Sequence, residues 1–291
     1  MSNSSCRTIE QSLQEYGRGV AGGLIFSLPL LFTMEMWWIG FIAHPARLVV
    51  GLLGTFVLLL GYNRFAGLRN DASFGEVVID SIEELGIGLV ISAATLFLLG
   101  RVHVAQPINE IMGQVVVEAM TIAIGVSVGT AQLGGGDDDG DSGMADDDKE
   151  TSYGGQVILA LCGAFLFASN VAPTEEIILL AIENRPLHIG GIALLSLALS
   201  ALIVEFSEFR GSHSFTAHGS LLIALRSVIV TYAVALIASC CLLWFFGRFE
   251  GNSFFINLSQ VVVLAFPAAL GASAGRLLVQ GNQGNQANQS S

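Results

Sequence analysis

Apolar stretches of about 20 residues recur along almost the whole chain, separated by short polar breaks. That is the length a helix needs to cross a bilayer core about 30 Å thick. The pattern predicts an all-α membrane protein with about eight transmembrane helices, near residues 20–43, 46–66, 77–100, 108–131, 156–181, 187–208, 221–247 and 254–278. The third span is the least regular, because Asp80, Glu83 and Glu84 lie in its first turns. Pro45 and Pro186 sit near the tight links between spans one and two and between spans five and six. Proline fits the first turn of a helix, where its missing N–H costs nothing.

The polar and apolar positions also repeat. Gln114-Val115-Val116-Val117 with Ala119, Ala123, Gly125, Ser127 and Gly129 matches Gln260-Val261-Val262-Val263 with Ala265, Ala269, Gly271, Ser273 and Gly275, at a constant offset of 146. A second set is offset by 141, including Gly22/Gly163, Phe26/Phe167, Glu35/Glu176, Pro45/Pro186 and Phe65/Phe206. Gly100-Arg101 matches Gly247-Arg248 at 147. This predicts a duplicated unit of roughly 130–140 residues. Four spans per unit is an even number, so both copies start on the same side and the repeats are parallel, as in many transporters. The expected organisation is a polar segment at 1–19, a first repeat at 20–132, an acidic Gly/Asp linker at 133–155, a second repeat at 156–279 and a low-complexity tail at 280–291.

Composition agrees with a bilayer protein: 53% of residues are hydrophobic, 12% are charged and the mean hydropathy is +0.67. A soluble domain carries about 25% charged residues. The first 19 residues are polar and the first apolar span shows no cleavage site, so no signal peptide is expected. The net charge of −12 is concentrated, with seven Asp, one Glu and one Lys between 137 and 150 giving −7. Such a segment is too polar to bury and is expected to be a disordered linker. Its Asp/Gly content suggests a calcium loop, but with Gly140 at the sixth position the first ligand would be Gly135 and the last Asp146 rather than Glu. Arg7, Arg18, Arg64, Arg69, Lys149, Arg210, Arg226 and Arg276 collect on one side, and Arg47, Arg101, Arg185 and Arg248 on the other. The positive-inside rule then places both termini and the acidic loop in the cytoplasm of a cell-membrane protein. Cys6, Cys162, Cys240 and Cys241 form no disulfide or metal framework.

An ionisable residue inside the membrane is a functional hypothesis by default. Glu118 lies roughly 15 Å into the fourth span, near the midplane, and its repeat counterpart is Leu264. It reads as an ion ligand or a proton-carrying acid; the alternative is a neutral carboxyl hydrogen-bonded between helices. Glu35 and Glu176 are repeat-equivalent, with Glu175 beside the second. Each follows a proline-containing segment, Ser27-Leu28-Pro29 or Asn170-Val171-Ala172-Pro173, whose freed carbonyls are tolerated where they line a cavity. Facing each other, these carboxylates with Asn170 would make an oxygen-rich site for a divalent cation. The alternative is that Glu35 and Glu176, about 7–10 Å from the outer ends, snorkel to the interface. Asp80, Glu83 and Glu84 share a helix face, and Arg226 sits at similar depth in the equivalent span, which suggests a cytoplasmic vestibule. A solvated helix start is the plainer reading. Gly125/Gly129 and Gly271/Gly275 have the spacing of close helix packing.

There is no nucleotide-binding loop, HExxH, CxxC or GxSxG motif, and no basic nucleic-acid face. No enzyme activity, cofactor or nucleic-acid partner is therefore expected, and neither the metal nor the oligomeric state is specified. The segments Leu28-Pro-Leu-Leu-Phe-Thr-Met-Glu-Met-Trp-Trp38 and Asn170-Val-Ala-Pro-Thr-Glu-Glu176 resemble a bacterial family of integral membrane proteins without assigned activity. The second segment is also distantly similar to the acidic motifs of cation/calcium exchangers, whose repeats are inverted and five-span. The expected function is a cation transporter or channel, divalent or proton-coupled, using intramembrane carboxylates. The competing expectation is a sensor, assembly factor or scaffold that binds partners through the acidic loop.

Overall fold

The computed structural model describes residues 9–66, 73–132, 153–211 and 221–287. The acidic segment 134–150, with its linker and calcium-loop readings, lies outside the described residues, as do Cys6, His213 and His218. The described residues form ten helices and no strand. They are α1 (Ile9–Leu31), α2 (Met34–Ile42), α3 (Pro45–Ala66), α4 (Phe74–Leu98), α5 (Ile108–Gln132), α6 (Tyr153–Ser169), α7 (Glu176–Glu183), α8 (Pro186–Gly211), α9 (Leu221–Phe245) and α10 (Phe254–Ala287).

Six of these are long and apolar enough to cross a membrane: α3, α4, α5 and the segments Pro186–Ile203, Leu225–Phe245 and Phe254–Arg276. A seventh arises if α1 and α2, bent by 87°, count as one broken span, and α6 is a shorter apolar helix. Two of the eight stretches read from hydropathy are broken. The first apolar stretch is two helices. Pro29 cannot donate to the carbonyl of Ile25, the Thr33 hydroxyl donates to the Pro29 carbonyl at 2.6 Å, and Thr33 is extended (φ −93°, ψ 117°). The fifth is also two helices, with turns and a bend over residues 170–175 between α6 and α7. Pro173 disfavours helix at the residue before it.

Pro45 and Pro186 are the first residues of α3 and α8. The helix ends at Gly100 and Gly247 have the same form. Both glycines are left-handed, at φ 67° and 71°. The next residue, an arginine in each case, donates its N–H five residues back, Arg101 to Leu96 at 2.9 Å and Arg248 to Leu243 at 2.8 Å. This closure satisfies carbonyls that the helix terminus would otherwise leave unpaired.

Helix α5 is the hub of the first half, packed against α1, α2, α3, α4 and α6. All residues from Gly113 to Gly129 are buried. Helix α10 packs in turn against α6, α7, α8 and α9. Small residues set both closest approaches. A Cβ on Gly22 would run into the backbone of Gly125 and Gly129, and one on Gly163 into that of Gly271 and Gly275. The halves meet where Leu59 and Tyr62 of α3 and Ile124 and Val128 of α5 pack with Leu159, Cys162 and Leu166 of α6. Arg47 and Glu250 form an ion pair between them.

Candidate functional site

Glu118 is 1% exposed, in the middle of the buried run of α5. Neither carboxylate oxygen has a hydrogen-bond partner among the described residues. One turn earlier, Gln114 donates to the Trp37 carbonyl of α2 at 3.4 Å, and its own Oε1 is buried without a partner. One turn later, the Thr121 hydroxyl lies 3.4 Å from that of Ser169, the last residue of α6. Next to Ser169, Asn170 donates to the carbonyls of Leu166 at 2.6 Å and of Phe26 in α1 at 3.2 Å, which leaves its Oδ1 buried and unpaired. Leu30 packs with Val117 and Met120, and Leu31 with Ile122, so the end of α1 brackets Glu118 on α5. The breaks α1–α2 and α6–α7 therefore both come to the level of this carboxylate. Burying an ionised carboxylate away from hydrogen-bond donors is costly.

Glu35 and Glu176 lie in the first turns of the short helices α2 and α7, not within long spans. Glu35 is partly buried, whereas Glu175 and Glu176 are exposed. An arginine accompanies them. Burial pulls the Arg248 guanidinium down from its ordinary value, and the charges of Glu175, Glu35 and Glu176 push it back up. The Arg248 Nε is buried without a partner. The counterpart arginine, Arg101, lies over the Trp37 ring at 4.0 Å, a cation–π contact. At this level the three glutamates thus share the field of a positive charge.

On α4, the proposed vestibule residues divide. Glu84 accepts from Asn63 Nδ2 of α3 at 2.7 Å. The same Nδ2 donates to the Ser81 hydroxyl at 3.1 Å, and Asn63 Oδ1 accepts from Ser127 of α5 at 2.9 Å. One asparagine side chain therefore ties three helices together. Glu83 accepts from Tyr16 of α1 at 2.5 Å. Asp80 is one turn before Glu84 on α4, and its charge acts on Glu84. Arg226 lies 5.2 Å from the Tyr153 ring centroid.

Residues 15–279 match the family described as "Putative integral membrane protein (DUF2391)". The chain belongs to this family. No curated protein and no solved structure matches it. The DUF2391 description assigns the family to the membrane and gives it no activity, so function has to be argued from the site.

In this DUF2391 protein, no group of three His, Cys, Asp or Glu among the described residues could hold a metal ion. The polar side chains one turn to either side of Glu118 on α5 are Gln114 and Thr121, the latter meeting Ser169. In the sequence Gln114 reads only as the start of a repeated block. Asn63, the donor to Glu84, and Ser127, the donor to Asn63, carry no motif either. The available signal was weak: each is a single amide or hydroxyl in an apolar run.

Proposed function

We propose that the protein carries a cation or a proton across the membrane, with Glu118 as the membrane-buried carboxylate that binds it. One observation carries this reading: a carboxyl 1% exposed, both oxygens unpaired, in the most enclosed helix of the fold. A packing role would be better filled by an apolar side chain, as Leu264 does in α10, where it is 0% exposed. Two broken helices ending beside the acid add support, because discontinuous helices form the ion sites of many transporters. No step of this function requires enzymatic chemistry.

The reading includes an architecture of two parallel repeats. Four features support it: the matched Gly22 and Gly163 packings, the prolines that open α3 and α8, the left-handed Gly-Arg ends of α4 and α9, and the break that follows α1 and α6 alike. Counting each broken pair as one crossing would give eight spans. Both termini are then cytoplasmic by the distribution of Lys and Arg.

The test is flux in proteoliposomes. Wild-type protein should dissipate an imposed Na⁺ or proton gradient. Glu118→Gln should abolish this while keeping a monodisperse elution profile and the wild-type helical content. Wild-type flux in that variant would remove Glu118 from the mechanism, and no flux of any cation in the wild-type protein would overturn the proposal.

A further inference from the structure

Resting on that reading, we infer that Glu118, Gln114 and Asn170 form a binding site for a dehydrated alkali-metal cation, with Na⁺ as the probe.

The argument begins with a count of oxygens. Four of the buried acceptor atoms that lack a donor among the described residues are Glu118 Oε1 and Oε2, Gln114 Oε1 one turn before them on α5, and Asn170 Oδ1, next to the Ser169 that meets Thr121 one turn after them. The amide nitrogens of Gln114 and Asn170 are committed to the carbonyls of Trp37, Leu166 and Phe26. This fixes which end of each amide is the acceptor. Protonating Glu118 would supply one donor for the whole set. A cation would draw on several of these oxygens at once, as hard cations do.

The helix ends add to this set. α1 ends at Leu31 and α6 at Ser169, and both termini lie against α5 near Glu118. A helix C-terminus carries a partial negative charge. Pro29 and Pro173 also withhold the N–H groups that would bond the carbonyls of Ile25 and Ser169 in a continuous helix. Broken helices with freed carbonyls at C-terminal half-helix ends are the arrangement that coordinates Na⁺ in membrane transporters.

Charge selects the valence. The site contains one carboxylate, so a monovalent ion would make it neutral. A divalent ion would leave a net positive charge buried away from water, which is expensive. The acids of α2 and α7 do not supply the missing negative charge, since they share the field of Arg248.

The experiment measures binding separately from flux. Detergent-purified full-length protein is heated at constant ionic strength while choline chloride is replaced by NaCl, and in parallel runs by KCl or CaCl₂. The expected result is a saturable rise in the unfolding midpoint with NaCl that is absent in choline. Glu118→Gln should lose the response. Asn170→Asp, which adds a second carboxylate, should move the preference from Na⁺ to Ca²⁺. If Glu118→Gln does not fold, the Na⁺-against-choline comparison on wild-type protein and the Asn170→Asp shift still decide. A wild-type midpoint indifferent to Na⁺ would overturn the inference; proton flux surviving alongside that result would leave the proposed function standing with a proton as cargo. A Na⁺ response without any flux would support the site and overturn transport.

Discussion

Gly163→Leu is expected to leave the protein without a stable fold. A Cβ at Gly163 would meet the carbonyl of Gly271, and one at Gly271 would meet that of Gly163. The obstacle on each side is helix backbone, so no rotamer change relieves it. Overpacking typically costs about 1–3 kcal/mol where side chains can yield, and here the helices would have to separate. Gly54→Ala is the matched control, because nothing lies within 4 Å of a Cβ at that position of α3. It should be neutral or mildly stabilising, by at most about 1 kcal/mol from helix propensity. Thermal unfolding of both variants in the same detergent is the measurement. A Gly163→Leu midpoint within a degree or two of wild type would mean that α6 and α10 are not in backbone contact.

Asn63→Ala is expected to destabilise the protein by about 2–3 kcal/mol, because it removes the hydrogen bond to the Glu84 carboxyl group and leaves its other partners unsatisfied. Glu84 loses its 2.7 Å donor, Ser127 loses its acceptor, and α3, α4 and α5 lose their shared tie. The companion variant Asn63→Leu/Glu84→Leu should recover much of the loss, since replacing both partners of a buried polar pair by apolar groups is often near neutral. Denaturant unfolding monitored by tryptophan fluorescence would report both. Equal destabilisation by the single and double variants would place the effect in packing rather than in the hydrogen-bond network.

The all-helical membrane character was legible from hydropathy alone, and so were the helix starts at Pro45 and Pro186, because proline acts locally. The breaks were only half legible. Pro29 and Pro173 are visible in the sequence, but an 87° bend also depends on Thr33 becoming extended and on Trp37 donating back to the Leu31 carbonyl at 3.1 Å. Hydropathy places the start of the first span near residue 20, whereas α1 begins at Ile9, since about three polar turns extending from a membrane helix carry no apolar signal. Glu118 stood out as a charge in an apolar run. Its surroundings did not: Gln114, one turn away on α5, donates to Trp37 of α2, and Ser169, beside Asn170 at the end of α6, meets Thr121, contacts long-range in sequence. The company of Arg248 with Glu35, Glu175 and Glu176 was hidden for the same reason. In the sequence Arg248 is one of four positive charges on one side of the membrane, and nothing local shows that it stands among those acids.

The burial of α5 on every side from Gly113 to Gly129 has a mechanical consequence. A bilayer of altered thickness acts on the helices that touch its lipids, tilting or stretching them at a cost of fractions of a kcal/mol per Å of mismatch. The described helices around α5 present many exposed apolar side chains, among them Val57 of α3, Val90 of α4 and Ile25 of α1. α5 presents none through that run. A change in lipid length therefore reaches Glu118 only second-hand, through the tilt of α1, α3, α4 and α6, while the carboxylate itself stays insulated from the membrane it spans.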